Sequence, residues 1–315
     1  MSGTRRARLT RREQLSAAIA VFTFESLEAP FTGLEAGAHV ELRLGPDLVR
    51  SYSLVDWDTA GRWVQVAVQA EPRGRGGSLA VHRLQPGDEL TLTDTRNNFP
   101  LATSERPVVL IGGGIGVTPI YAMARALARL GRHFEVYYFV RTEDLAAFHG
   151  HLLELGLGER YLLHRDDVDG LPDFTALLRE RPPDTVYQVC GPEAMLEAVQ
   201  VASRNLGRGI VTFERFGPAR PAVTDDDHPF DVVIASTGQE LPVPVGRSIL
   251  SVLRQAGHDI DYSCAEGTCG TCIIDVLDGE IEHRDVVLDD DEKAAGDCLC
   301  VCVSRARGPR LVLDL

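Results

Sequence analysis

The sequence predicts three folding units in series: a small antiparallel β-barrel, a parallel α/β sheet, and a compact C-terminal domain built around cysteines. Three observations predict them. Short alternating apolar runs, broken by Gly, Pro and Asp, fill the first hundred residues. Strands and helices then alternate, because each parallel strand needs a crossover. Six of the seven cysteines lie after residue 263. A chain of 315 residues is also too long for one ordinary core.

The elements follow in chain order. "HVELRLG", "RSYSLVDW", "RWVQVAVQAE" and "DELTLTDT" are the barrel strands. "PVVLIGGG" is a buried strand. "VTPIYAMARALARLG" is a helix with Thr118 as its N-cap, Pro119 in its first turn and Gly131 as its stop. "FEVYYFV" is the next strand, followed by a helix through "LAAFHGHLLELG". "TVYQVCG" and "PEAMLEAVQVASRNLG" repeat the strand–helix unit. "PARPAVTDDDHP" is a linker by its Pro and Asp content. "FDVVIAS" then turns into "ELPVPVG", "SILSVLRQAG" is a helix, and "RLVLDL" is the closing strand. The expected boundaries are 1–103, 104–217, a linker at 218–229, and 230–315.

The start, "MSGTRRARLTRREQ", holds five arginines in its first twelve residues without a following apolar stretch. It reads as a solvated, flexible arm, not a secretory signal. No apolar run approaches the length of a membrane span. Net charge is −14, which disfavours nucleic acid and anionic membranes as partners. The segment 229–315 carries 16 Asp and Glu against seven Lys and Arg, or −9 of that total. A negative face suits a basic protein partner. With no export signal, a cytoplasmic, reducing location is expected, and the clustered thiols read as metal ligands and not as disulfides.

"CAEGTCGTC" makes the chemistry specific. Cys264, Cys269 and Cys272 form C-x4-C-x2-C, and Cys302 follows after 29 residues. This is the plant-type [2Fe–2S] spacing. Structural zinc prefers two close C-x2-C pairs. Gly267 and Gly270 allow the loop to turn tightly round a cluster and to bring backbone N–H groups near sulfur. Cys298 and Cys300 crowd the fourth position, and either is able to substitute for Cys302.

A one-electron centre fed by a hydride donor requires a flavin between them. "RSYSL" supplies Arg50 for a flavin phosphate, Tyr52 to lie on the ring and Ser53 to hydrogen-bond near its N5, with Ser51 between them. "GRGGS" places Gly76, Gly77 and Ser78 at a helix start, where backbone N–H groups bind phosphate. "LIGGGIGVTP" is a strand, a glycine turn and a helix. Gly113, Gly114, Gly116 and Thr118 are its candidate dinucleotide contacts. It is not the G-x-G-x-x-G fingerprint. "CGPEAM" puts Cys190, Gly191 and Pro192 at the carboxyl edge of the same sheet, where such folds bind ligands. Cys190 is the candidate to flank a nicotinamide. Phe216 of "FERFG" is the candidate to cover the flavin. Ser53, Cys190 and Phe216 are the expected catalytic positions.

Taken together and in this order, the motifs resemble those of the phthalate dioxygenase reductases and the related vanillate O-demethylase reductases, over roughly residues 15–315. "CVSRARGPRLVLDL" extends the likeness to the end. The resemblance implies an antiparallel flavin-binding barrel, a parallel α/β nicotinamide domain, and a C-terminal β-grasp [2Fe–2S] ferredoxin domain. It implies FMN rather than FAD, NADH rather than NADPH, and a separate terminal oxygenase as electron acceptor. A monomer is expected. Arg141, after "FEVYYFV", is a cation able to meet the 2′-phosphate of NADPH. The alternatives are a reductase for a haem monooxygenase, a carrier lacking nicotinamide activity, and a self-contained enzyme acting on a small molecule.

Overall fold

The computed structural model describes residues 3–45, 48–72, 74, 76–207, 209–216, 224, 227–262, 267 and 270–315. They form two compact units, Met1–Glu214 and Arg215–Leu315.

The first unit opens with β1 (Thr4–Gln14), β2 (Ile19–Ser26), β3 (His39–Gly45), β4 (Leu48–Trp57), β5 (Trp63–Gln69), helix α1 (Gly77–Arg83) and β6 (Glu89–Thr93). The six strands close into an antiparallel barrel in the order β1-β2-β5-β4-β3-β6. Closure leaves no free strand edge. The interior holds Leu9, Phe22, Phe24, Val40, Leu42, Leu54, Val64 and Val66, all fully buried.

The arginine-rich start is not a flexible arm. It is β1, paired on one side with β2 and on the other with β6. Its alternation is real but disguised. Arg5, Ala7 and Leu9 point inward. Arg5 is tolerated there because it pairs with Asp94, donates to Ala29 O at 2.8 Å and to Pro30 O, and lies 4.9 Å over the Phe31 ring. Arg6 and Arg8 face outward and meet Glu28 and Glu89.

Next come β7 (Val108–Gly113), α2 (Val117–Arg129), β8 (Phe134–Val140), α3 (His149–Leu153), β9 (Tyr161–Arg165), α4 (Asp166–Asp169), α5 (Phe174–Arg179), β10 (Val186–Cys190), α6 (Glu193–Leu206) and β11 (Ile210–Glu214). The strands form one parallel sheet, ordered β11-β10-β7-β8-β9. Thr118 is not the N-cap of α2. A 3₁₀ turn at Gly114–Gly116 runs straight into the helix, with Gly116 at the cap position, and the Thr118 hydroxyl donates back to Ile115 O at 3.0 Å. The helix expected through "LAAFHGHLLELG" shrinks to α3 and a 3₁₀ turn at Glu143–Leu145. Gly150 weakens its interior, and Gly156 ends it at φ +65°.

The barrel and sheet share a core. Val55, Ala67 and Phe99 pack with Val117, Ile120, Met123 and Leu127 of α2. The connecting segment is fastened as well. Buried Gln188 on β10 donates to Pro100 O at 2.8 Å and accepts from Ala102 N at 3.0 Å. Arg132 donates to Ala102 O at 3.3 Å and to Ser104 O.

The second unit contains β12 (Phe230–Ile234), β13 (Glu240–Val243), α7 (Ile249–Gln255), β14 (Ile273–Asp278), β15 (Ile281–Glu282), α8 (Asp290–Ala295), β16 (Cys298–Cys300), β17 (Arg305–Ala306) and β18 (Arg310–Leu313). Its mixed sheet runs β13-β12-β18-β14-β16, with β12 and β18 parallel, and α7 packs its Ile249, Leu250 and Leu253 into the core. This is the β-grasp arrangement. Ser248 caps α7 by accepting Ser251 N–H at 3.2 Å, and a capping box of Asp289 and Glu292 starts α8. Arg284, 1% exposed, is held by Asp227 and by Glu282 at 2.8 Å. The Arg284 guanidinium holds the Asp227 carboxyl down at about 2. Among the described residues no helix is long and apolar enough to cross a membrane.

Candidate functional site

Strand β4 carries the expected flavin residues. Arg50, Ser51, Tyr52 and Ser53 lie opposite Leu42, Glu41, Val40 and His39 of β3. Ser53 is buried. The Ser51 hydroxyl is also buried and has no partner among the described residues, so it remains available to a polar group of a ligand. Arg50 reaches the start of α1. A Cβ on Gly77 would lie 2.4 Å from Arg50 Cγ and 2.7 Å from its Nε. The guanidinium thus crosses bare backbone at a helix start, beside Gly76, whose own surroundings are open to 4 Å. The Ser78 hydroxyl accepts Glu71 N–H at 3.0 Å, and a hydroxyl that accepts still has its own proton to donate. A cation over open helix-start backbone, with an orphan hydroxyl on the same strand, fits a phosphorylated flavin.

Two further motifs meet at the centre of the parallel sheet. β7 and β10 are neighbours, with Cys190 opposite Gly112. The glycine turn packs on "CGPEAM" backbone to backbone. A Cβ on Gly116 would lie 2.4 Å from Cys190 O and 2.7 Å from Gly191 Cα. One on Gly113 would lie 2.8 Å from Pro192 Cδ, and one on Gly191 would lie 3.0 Å from Gly113 Cα. Gly114 differs: it has φ +53° and nothing within 4 Å. The turn therefore presses one face against β10 and leaves the other open at the carboxyl edge. Thr118 is 98% buried beneath it.

Cys190 is completely buried, and burial pushes its thiol well up, with Glu214 adding to the effect. Glu214 ends β11, directly opposite Cys190. Its Oε2 is buried with no hydrogen-bond partner among the described residues, and burial raises the carboxyl to about 8, against a smaller lowering by the Cys190 thiol. Sequence reasoning missed this residue. Its signal was present in "FERFG", whose Glu closes a strand beside the Cys190 strand. Phe216 heads the second unit and is 48% exposed.

Of the cluster ligands, Cys264 and Cys269 lie outside the described residues. Cys272 and Cys302 are buried. Register brings them together: Ile273 pairs with Cys300, and Val301 N donates to Cys272 O at 3.2 Å, so Cys302 follows the residue bonded to Cys272. Cys300 is fully buried. Cys298 lies opposite Asp275, three residues or about 10 Å of strand beyond Cys272. Burial, then Asp297 and Asp275, raises its thiol pKa. Gly267 sits at φ +73°, and a Cβ there would lie 3.0 Å from Asp285 Cα. Val286 N also donates to Gly267 O at 3.0 Å, so segment 285–286 closes tightly on Gly267. Two buried cysteines flanking adjoining strands, with Gly267 held beside them, suit a bridged iron–sulfur cluster.

Comparison with known proteins finds relatives of the whole chain and a family model for its C-terminal part. The model for a 2Fe-2S iron–sulfur cluster binding domain matches residues 232–307. The chain is 41% identical over 291 residues to the toluene-4-sulfonate monooxygenase system reductase subunit of Comamonas testosteroni, covering 91% of this chain and 90% of that one. It is 39% identical over 286 residues to tetrachlorobenzoquinone reductase of Sphingobium chlorophenolicum, with 89% and 88% covered. It is 36% identical over 303 residues to phthalate dioxygenase reductase of Burkholderia cepacia, with 94% and 93% covered. A solved phthalate dioxygenase reductase, described as a modular structure for electron transfer from pyridine nucleotides to [2Fe–2S], superposes with TM-score 0.82 at 34% identity, covering 99% and 98%. An intact type IV self-sufficient cytochrome P450 monooxygenase superposes with TM-score 0.80 at 32% identity. This chain spans 41% of that one's length.

Proposed function

The chain belongs to the phthalate dioxygenase reductase family, and from that premise we propose that it is an NADH-dependent reductase that passes electrons singly to a separate terminal oxygenase. When bound, FMN supplies the conversion of one hydride into two single electrons, and a [2Fe–2S] cluster supplies their one-by-one exit. The chain's own residues bind and orient. Arg50, with Gly76, Gly77 and Ser78, holds the flavin phosphate. Ser51, Tyr52 and Ser53 line the ring. Gly113, Gly114, Gly116, Thr118, Gly191 and Pro192 seat the dinucleotide at the carboxyl edge of β7 and β10. Cys190 shields the nicotinamide side, with the Glu214 carboxyl behind it able to hold a proton near neutral pH. Phe216 covers the flavin. Cys264, Cys269, Cys272 and Cys302 hold the cluster. We divide the chain at 1–103, 104–217, 218–229 and 230–315.

One observation carries the reading: the glycine turn packs backbone to backbone on Cys190 and Gly191 while its other face stays open. NADH is favoured over NADPH by charge. Arg141 is followed by Glu143 and Asp144, carboxylates that offset its charge for a 2′-phosphate. We read the protein as a cytoplasmic monomer; Cys190 and Cys298 carry no disulfide among the described residues, which suits a reducing location. The test is an anaerobic NADH titration followed by visible absorption and low-temperature EPR, with the released flavin identified by chromatography. Bleaching of the flavin with a rhombic cluster signal is the expected result. Reduction by dithionite but not by NADH would leave only an electron carrier.

Two relatives support second readings. The one named a quinone reductase covers nearly this whole chain. Direct reduction of a quinone, with no oxygenase present, would favour that activity here. The P450 likeness raises a haem enzyme as acceptor. Reconstitution with each class of oxygenase separates the two.

A further inference from the structure

Hydride transfer requires the two reacting atoms at near contact, and a misplacement of about 1 Å can cost about a hundredfold in rate. Here the flavin and dinucleotide residues lie on different halves of the first unit, so the bond between the halves matters. Strand β4 carries Arg50 through Ser53 and continues to Trp57. Its pairing with β5 shifts between Leu54 and Asp56, which makes Val55 the extra residue of a bulge. Bulges re-aim a strand, and this one presents Val55 O and the Asp56 carboxylate to α2. Arg125 takes both. Its Nη1 donates to Val55 O at 3.1 Å and lies 2.5 Å from Asp56 Oδ1. Trp57 N–H also donates to Asp56 Oδ1 at 2.8 Å, which fixes the carboxylate. The pair is sheltered, with side chains 17% and 28% exposed, and the guanidinium stands 5.6 Å over the Tyr121 ring. Arg125 lies seven residues after Thr118, on the same helix face, and α2 begins at the glycine turn itself.

We propose that Arg125 is a positioning residue for hydride transfer, locking the flavin strand to the dinucleotide helix so that nicotinamide and flavin meet at reacting distance. The inference rests on the reductase reading. The transfer moves a hydride from the reduced nicotinamide to the flavin, giving the oxidised nicotinamide and an anionic reduced flavin; any further proton comes from water, so no other oxidant or reductant is needed. Gln188 and Arg132 fasten the connecting segment independently, so losing Arg125 loosens the halves without parting them.

The test uses the full-length holoprotein with Arg125→Met, Arg125→Lys and Asp56→Asn. Anaerobic stopped-flow gives the limiting rate of flavin reduction and the apparent Kd for NADH. The long-wavelength charge-transfer absorbance of the NADH complex reports ring stacking directly. Arg125→Met is expected to slow reduction tenfold or more, to weaken the charge-transfer band, and to change the apparent Kd less than threefold. FMN content and the dithionite-reduced cluster signal stay as in the wild type. Arg125→Lys, which still donates to Val55 O, recovers part of the rate. Asp56→Asn, which keeps that same bond, falls between. A lowered melting temperature with unchanged rate and charge-transfer band in both Arg125→Met and Asp56→Asn overturns the proposal. Failure of NADH to reduce even the wild type overturns the reductase reading, and this inference with it.

Discussion

Replacing Gly116 by Ala isolates the packing that builds the nicotinamide site. The backbone there is ordinary helix, with φ −62°, so alanine brings no conformational strain. Helix propensity alone would favour alanine by about 0.5–1 kcal/mol. Space is the obstacle. The new Cβ would lie 2.4 Å from Cys190 O, 2.6 Å from Cys190 C and 2.7 Å from Gly191 Cα, where ordinary contact begins at 3.4 Å. All three atoms are backbone, so no side chain can swing aside. Either the start of α2 or the end of β10 must move by about 1 Å, and overpacking of this kind costs about 1–3 kcal/mol. A net loss of about 1–2 kcal/mol follows, with a displacement on the scale that damages hydride transfer. Gly114→Ala is the control. It carries αL strain of about 1–2 kcal/mol, but its Cβ enters open space on the side proposed for the dinucleotide. Stopped-flow flavin reduction separates the two. Gly116→Ala should lower the limiting rate at least tenfold, and Gly114→Ala should chiefly raise the apparent Kd for NADH. A Gly116→Ala rate within threefold of wild type would refute the claim that this contact sets the site.

Glu214 makes a pH prediction. Its folded pKa of about 8 lies above the ordinary carboxyl value, so the folded chain holds the proton more tightly. Stability from that proton is complete below about pH 4.5 and is lost as pH rises to about 8, amounting to about 3 kcal/mol by pH 7. Glu214→Gln should therefore melt higher than wild type at pH 8, with the difference shrinking towards pH 5. A difference that is flat over that range would show that the carboxyl does not titrate there. Gly77→Ala should displace Arg50 and weaken FMN affinity about tenfold, read by flavin fluorescence, while leaving the cluster signal intact. Cys302→Ser should abolish the EPR signal, whereas Cys298→Ser should keep it. The reverse result would move the fourth ligand.

Much of this was legible because local chemistry announced it. Cys264 to Cys272 name a cluster by spacing, and a glycine turn between a strand and a helix needs no distant partner. What stayed hidden depends on residues far apart in the chain. β1 escaped notice because an inward arginine broke its apolar alternation, and the Asp94 and Phe31 that make Arg5 tolerable lie elsewhere. Glu214 looks like any strand-end acid until β11 is laid beside β10. The bond from Arg125 to Val55 and Asp56 joins positions about seventy residues apart, and only the bulge makes it reachable. Thr118 imitates an N-cap, but its hydroxyl turns back to Ile115 because the preceding glycines have already begun the helix.

The clasp of Asp227 on Arg284 has a practical side. Arg284 is 1% exposed, and Arg305, 5% exposed, stands 3.7 Å from the same carboxylate. Cutting the chain just ahead of Phe230, where the first strand begins, would strip buried Arg284 of one of its two carboxylates and leave Glu282 alone to neutralise it, a loss smaller than the about 3–5 kcal/mol that a wholly unpaired buried charge costs. An excised cluster domain should therefore begin no later than Thr224, whose hydroxyl donates to Asp227 at 2.8 Å. Where this module can be severed, transplanted or fused is dictated by a charge that must stay neutralised and not by where its sheet starts.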